Sequence, residues 1–166
     1  IISSSLNFFP MASLKNQENQ PLKLSVLTAV DQVTQSEKFR IAQFLHKHLG
    51  KYGDEQKDIM KCLDYATSYF NHQGGFIVLA EENREIIGAV VMNQTGMEGY
   101  IPENILVYIA VHESHRGRGL GKQLMEKAIG FAKGGIALHV EPDNPARYLY
   151  EKLGFTHKYL EMRSTQ

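Results

Sequence analysis

The chain has 166 residues, 43% apolar and 22% charged, with 18 basic against 18 acidic side chains. That is one domain's length, with enough apolar residues for a full core, and the balanced charge gives no global attraction to nucleic acid or an anionic membrane, so any anion site must be local. The single cysteine, Cys62, excludes an internal disulfide and a paired-cysteine zinc site, and no apolar run is long enough for a membrane helix, so a reducing, cytoplasmic setting is expected.

The opening IISSSLNFFP lacks the basic start and continuous apolar stretch of a signal peptide. Residues 1–10 are read as an added or unstructured leader before a natural start at Met11, residues 11–21 as an extension, and 22–166 as one domain. LKLSVLTAV, residues 22–30, is short and apolar and predicts a strand. Thr34 and Glu37 form a capping-box pattern for a helix whose inward face is Ile41, Phe44, Leu45, His48 and Leu49, closed by Gly50. A second helix starts near Asp54, buries Ile59, Cys62, Leu63, Ala66, Tyr69 and Phe70, and stops at Gly74 and Gly75. GFIVLA and EIIGAVVM flank the polar turn EENR and read as an antiparallel hairpin from Phe76 to Met92.

The run ILVYIAV, residues 105–111, is apolar on both faces, as a central strand is. After a basic glycine loop, a helix buries Leu120, Leu124, Ala128 and Phe131, with Lys133 in its last turn and Gly134 and Gly135 beyond. GIALHV is a strand that a helix joins to ILVYIAV, which makes the two parallel through a right-handed crossover. Asn144 caps, and Pro145 opens, a helix burying Ala146, Leu149, Tyr150 and Leu153 and ending at Gly154; FTHKYLEM supplies a last strand. The order β-α-α-β-β-β-α-β-α-β describes an α+β domain, a mixed sheet flanked by helices.

HESHRGRGLGKQL, residues 112–124, sets Gly117, Gly119 and Gly121 directly before the helix. A helix start presents unpaired N–H groups and the positive end of the macrodipole, so it attracts phosphate oxygens, and bare backbone lets them approach. Arg116, Arg118 and Lys122 add charge there. A Walker loop needs glycine at Arg116 and Ser or Thr at Gln123, and a dinucleotide fingerprint needs GxGxxG where this loop has GxGxG. Both are excluded by spacing.

RGRGLG, residues 116–121, after a strand ending in IAV, resembles the Q/R-x-x-G-x-G/A segment of the GCN5-related N-acetyltransferases, and DNPARYLYEKLGF, residues 143–155, resembles that family's segment in which a helix carries a tyrosine and ends in Gly-Phe. The resemblance covers roughly 22–163, through motifs from Ile105 onward and through element order before that. It implies an N-acetyltransferase domain over 22–166 that uses acetyl-CoA and needs no metal. The backbone from Gly117 through Arg118, Gly119, Leu120 and Gly121 to Lys122, with Arg116 beside it, would hold the pyrophosphate. Ile109, Ala110 and Val111 would pair with the pantetheine arm between two splayed strands. Tyr150 would protonate the leaving thiolate, and an N–H near Val111 would polarise the carbonyl. Asn144 would contact the pantetheine region, although Asp143 stands at the commoner spacing and a helix cap explains either residue equally well.

The resemblance leaves the general base open, because residues 105–111 contain no carboxylate where many relatives carry a glutamate. Glu103 is the candidate, with Glu141 as the other flanking carboxylate; an ordered water or an already neutral amine serves as well. His112 and His115 flank the loop without further ligands for zinc, His46 and His48 do not share a helix face, and His139 lies in a strand. Tyr52, Tyr65 and Tyr69 lie where the family shapes its acceptor site. The expected acceptor is a primary amine of a small molecule, a peptide N-terminus or a lysine, with no nucleic-acid or membrane partner. Paired subunits are common in the family, so a homodimer is compatible. The alternative is a CoA-binding sensor or interaction module without turnover.

Overall fold

The computed structural model describes residues 20–70 and 74–164; the leader at 1–10 and all of the extension before residue 20 lie outside the described residues. The first strand, β1, is Lys23–Leu27, shorter than its apolar run, because Thr28 accepts the N–H of Val30 and receives Asp31 in a reciprocal cap that turns Ala29–Asp31 into a 3-10 turn. Helix α1, Gln35–Leu49, starts on Thr34, whose hydroxyl accepts the Glu37 N–H, and ends at Gly50 with φ 58°. Helix α2, Gln56–Ala66, stops well before the glycines expected to end it. The Thr67 hydroxyl takes the Leu63 carbonyl at 2.9 Å, competing with the next helical bond, so Tyr69 and Phe70 fall outside the helix and are exposed.

Strands β2, Gly75–Glu82, and β3, Glu85–Gln94, form the expected antiparallel hairpin about Asn83 and Arg84, both at positive φ. β4, Asn104–Val111, pairs antiparallel with β3; helix α3 is Leu120–Phe131; β5, Ile136–Leu138, pairs parallel with β4. Helix α4 is Ala146–Lys152. The five strands form one mixed sheet in the order β1-β2-β3-β4-β5.

One core lies between the sheet and α1 with α2, built on Ile41, Leu45, Ile59, Leu63, Ile77, Val91 and Tyr108. The other lies under α3 and α4, built on Phe76, Val78, Val90, Met92, Leu124, Met125 and Tyr150. Phe131 is half-exposed but sets its ring edge-on to Phe76 at 4.8 Å, and Lys133 lies past the end of α3. Two sequence expectations fail here. β4 is not covered on both faces, since Val107 is exposed, and FTHKYLEM forms no strand among the described residues, leaving Tyr159, Leu160 and Met162 exposed. β5 spans three residues, so its outer edge offers little backbone for a further strand to pair with.

Candidate active site

The site begins with one extra residue in β4. Met92 pairs with Leu106 and Val91 with Tyr108, which leaves Val107 unopposed as a bulge. In a regular strand Leu106 and Tyr108 would share a face, yet Leu106 packs under α3 and Tyr108 under α1 and α2. Pairing with β5 covers only Asn104–Leu106, opposite Ile136–Leu138. From the bulge onward the two strands are no longer paired, and we read the unpartnered edge of β4 as one wall of a slot between them.

Alternation settles which groups face this slot. His112 N–H bonds to Ile87 O on β3, so the polar groups of Val111 and Ile109 point to the open edge, and Val111 O is accordingly taken by Arg116 Nε at 3.0 Å. Ala110 turns its backbone toward β3 and its side chain into the α1–α2 core. Ile109 and Val111 thus offer main-chain groups to an extended ligand.

The glycine loop follows. Gly117 and Gly119 have φ of 71° and 81°, and a β-carbon on either would meet nothing within 4 Å, so left-handed backbone turns the chain there without protein filling the concavity. Among the described residues no carbonyl accepts from the backbone N–H groups of residues 117 to 122, while Gln123 N–H is the first to close a helical bond, to Gly119 O. These amides stand at the start of α3, where the macrodipole is positive.

Gly121 differs from its neighbours. A β-carbon there would lie 3.3 Å from Leu149 and 3.8 Å from Val111, so its bareness serves the packing of α3 against α4. Arg116 donates Nε and Nη2 to Val111 O and His48 O, each at 3.0 Å, and so ties the loop to β4 and to α1. Arg118 is exposed with no partner among the described residues, and Lys122 is 3.6 Å from Glu126. Leu120 is buried and anchors the helix start in the core.

Tyr150 approaches from the α3–α4 side, 6% exposed, with its ring 6.0 Å from that of Phe155. Burial pushes its phenol up to about 12, so it stays protonated across neutral pH, and among the described residues nothing hydrogen-bonds it. Asn144 Oδ1 accepts the Ala146 N–H at 2.9 Å, committing that oxygen to the helix start. Asp143 is held by Lys51 at 2.7 Å, and its carbonyl accepts from Tyr52 at 3.1 Å. The loop between α1 and α2 is thereby tied to the loop after β5.

Glu103, the candidate general base, lies at the paired end of β4. It precedes the zipped end of β4, roughly 15 Å along the strand from Tyr108 at ~3.3 Å per residue. Its own backbone N–H, together with the N–H groups of Gly135 and Gly99 that its carboxylate accepts, holds it below the usual carboxylate range. The histidines assemble beside the loop: the ring of His48 is 4.5 Å from that of His112, and Ser114 Oγ is 2.8 Å from Nδ1 of both His112 and His115. Among the described residues no group of three or more His, Cys, Asp or Glu is arranged to hold a metal. Cys62 is largely buried, its thiol pushed up to about 12 by burial.

A bulged strand opening a slot that ends in free amides at a helix start narrows the fold to few families, and the model of the acetyltransferase (GNAT) family matches residues 39–155. The chain belongs to the GNAT family, and its enzyme class is N-acetyltransferase. Over 107 residues it is 32% identical to N-alpha-acetyltransferase 30 of Schizosaccharomyces pombe, covering 60% of this chain and 71% of the relative. Over 84 residues it is 34% identical to the 5-NmdU N-acetyltransferase of Pseudomonas phage PaMx11, covering 49% of this chain and 58% of the relative. Its fold is similar to that of the aminoglycoside N-acetyltransferase AAC(6')-Iy in complex with CoA, with a TM-score of 0.64 at 16% identity over 92% of this chain and 99% of that one. No helix among the described residues is long and apolar enough to cross a membrane.

Sequence reasoning missed two features of this GNAT site. The Val107 bulge carries no residue signal, since valine is an ordinary strand residue. Tyr108, read only as part of an apolar run, donates its hydroxyl to Asp54 at 2.5 Å; a polar group recurring inside an apolar strand was the available hint.

Proposed function

We propose that this chain moves an acetyl group from acetyl-CoA to a primary amine by direct attack. One observation carries the reading: the backbone N–H groups of residues 117 to 122 lack acceptors among the described residues, at a helix start and at the end of an unzipped strand. That arrangement fits a diphosphate followed by an amide-bearing arm, which is the chemistry of CoA. Acetyl-CoA supplies the activated acyl group. The Gly117–Lys122 amides hold its phosphates, the open edge at Ile109 and Val111 aligns the arm, and the Val111 N–H would polarise the carbonyl oxygen. Tyr150, a neutral phenol with its proton unclaimed, stands on one side of the slot to protonate the departing sulfur. The relatives' names supply three different acceptors, an alpha-amino group, a modified nucleoside and an aminoglycoside, and what those names share is acetylation at nitrogen.

Calorimetric titration with CoA, followed by thiol release from acetyl-CoA across a panel of primary amines, tests this. Micromolar binding and turnover of at least one amine are expected. Absence of CoA binding overturns the reading, and binding without turnover on any amine reduces the protein to a CoA-binding module.

A further inference from the structure

The slot has Tyr150 on its α3–α4 side, and what stands on the other side is Tyr108, the first residue past the bulge whose side chain faces α1 and α2. Its hydroxyl donates to Asp54 Oδ2 at 2.5 Å, and Tyr108 is itself buried, so the phenol acts as a rigid post under that carboxylate. Asp54 is exposed, and Oδ1 has no partner among the described residues. It ends a loop that reaches across the slot, for Lys51 and Tyr52 of the same loop are bonded to Asp143 beyond β5. Asp54 therefore lies beside β4 on its α1–α2 side, in a loop whose Lys51 and Tyr52 reach the segment after β5. Two residues on, Gln56 keeps Nε2 buried with no hydrogen-bond partner, a second polar group awaiting one.

The remaining charges at this mouth belong to the C-terminal segment. Arg163 lies within the field of Asp54 and Glu161 within that of His139, and Arg163 is ion-paired with Glu161 at 2.5 Å, which leaves the Asp54 carboxylate without a bonded cation.

Resting on the acyl-transfer reading above, we infer that Asp54, positioned by the Tyr108 hydroxyl, is the specificity-determining residue that receives the acceptor's ammonium group, and that the acceptor is consequently a cationic amine. A fixed carboxylate accepts charge-assisted N–H bonds from an ammonium and directs its nitrogen down into the slot; the nitrogen sheds its proton to water at the exposed mouth before attack. Tyr108 acts through Asp54 and is a positioning residue.

The test uses the full chain with four probes: a tetrapeptide with a free amino terminus, an Nα-blocked lysine, spermidine and kanamycin. For each probe that the wild type acetylates, Asp54→Asn is expected to raise KM by about 10–100-fold, with kcat within about threefold and CoA affinity unchanged. Asp54→Glu recovers part of the loss, and Tyr108→Phe raises KM about 3–10-fold. A purely structural role would leave the salt response intact, so KM is also read between 50 and 500 mM NaCl; it should climb with salt in the wild type and stay flat in Asp54→Asn. Equal KM and equal salt slopes in an active wild type and Asp54→Asn overturn this inference alone. Wild type inactive on every probe removes it together with the reading beneath it.

Discussion

The two halves of β4 carry opposite duties. From Asn104 to Leu106 the strand is zipped to β5, and Asn104, 1% exposed, fastens the zip by donating Nδ2 to Lys133 O at 2.7 Å and to Gly135 O at 3.2 Å. From Val107 to Val111 the same edge is open, its polar groups directed toward a slot that ends in the free amides of the glycine loop. The composition of the two halves is nearly the same; one unopposed residue separates them. A sheet that hides its backbone at one end presents it as a binding surface at the other, and the closed half fixes the geometry of the open one.

Four measurements can break or sharpen that contrast. The largest effect belongs to Gly119→Val, which puts a β-branched side chain at φ 81° and into the space before the amides. CoA affinity of the folded protein should fall by at least about 100-fold, read by calorimetry, and Tm should fall as well, because a β-branched residue at this positive φ is strained even though no protein atom lies within 4 Å of its β-carbon. Near-normal CoA binding in this variant would remove the phosphate cup. Next, Tyr150→Phe should lower kcat by about 10–100-fold with CoA affinity preserved. Its phenol, raised to about 12 by burial, loses its proton only far above neutrality, so wild-type kcat should show no alkaline fall from this group below about pH 11; an alkaline limb near pH 9 that vanishes in the variant contradicts the assignment.

Smaller is the effect of unfastening the zipped half. Asn104→Ala leaves Lys133 O without its donor, while Gly135 O keeps the backbone N–H of residue 104, and should cost about 1–3 kcal/mol, seen as a Tm lower by about 3–9 °C, with CoA affinity in the folded protein little changed. A large loss of CoA affinity at unchanged Tm would mean that the zip tunes the slot directly. The smallest effect is expected from Arg116→Ala, below about tenfold in CoA affinity. Since its guanidinium is bonded to Val111 O and His48 O, that ratio should be insensitive to salt; a ratio that shrinks between 50 and 300 mM NaCl would show that it meets phosphate after all.

Much of this was legible from residue order. The hairpin through Asn83 and Arg84, the three helix starts at Thr34, the glycine loop and Asn144, and the parallel return of β5 all follow from periodicity, caps and turn residues, which act within a few positions of chain. The glycine loop announced accessible amides because every helix start leaves its first N–H groups without helical partners and glycines leave them uncovered. Elsewhere a local signal met partners distant in the chain. Thr67 ended α2 early, Arg116 found two carbonyls to bond, Gly121 was needed by Leu149, and Glu103 was captured by Gly99 and Gly135. The last strand did not form, since an alternating pattern requires a neighbouring edge to pair with and β5 is short.

The amino-acid sequence by itself determined the element order, the placement of the glycine loop after an apolar strand, and the tyrosine helix that follows, because each is set by interactions spanning less than about four residues or by a short motif. Only the tertiary structure decided that β4 unzips at Val107, that Asp54 stands on the Tyr108 hydroxyl, and that Arg116 and Glu103 bond to the backbone groups they do. The physical reason is range: a bulge is defined by the register of a partner strand, and a polar side chain's role by which of many possible partners folding brings within 3 Å of it.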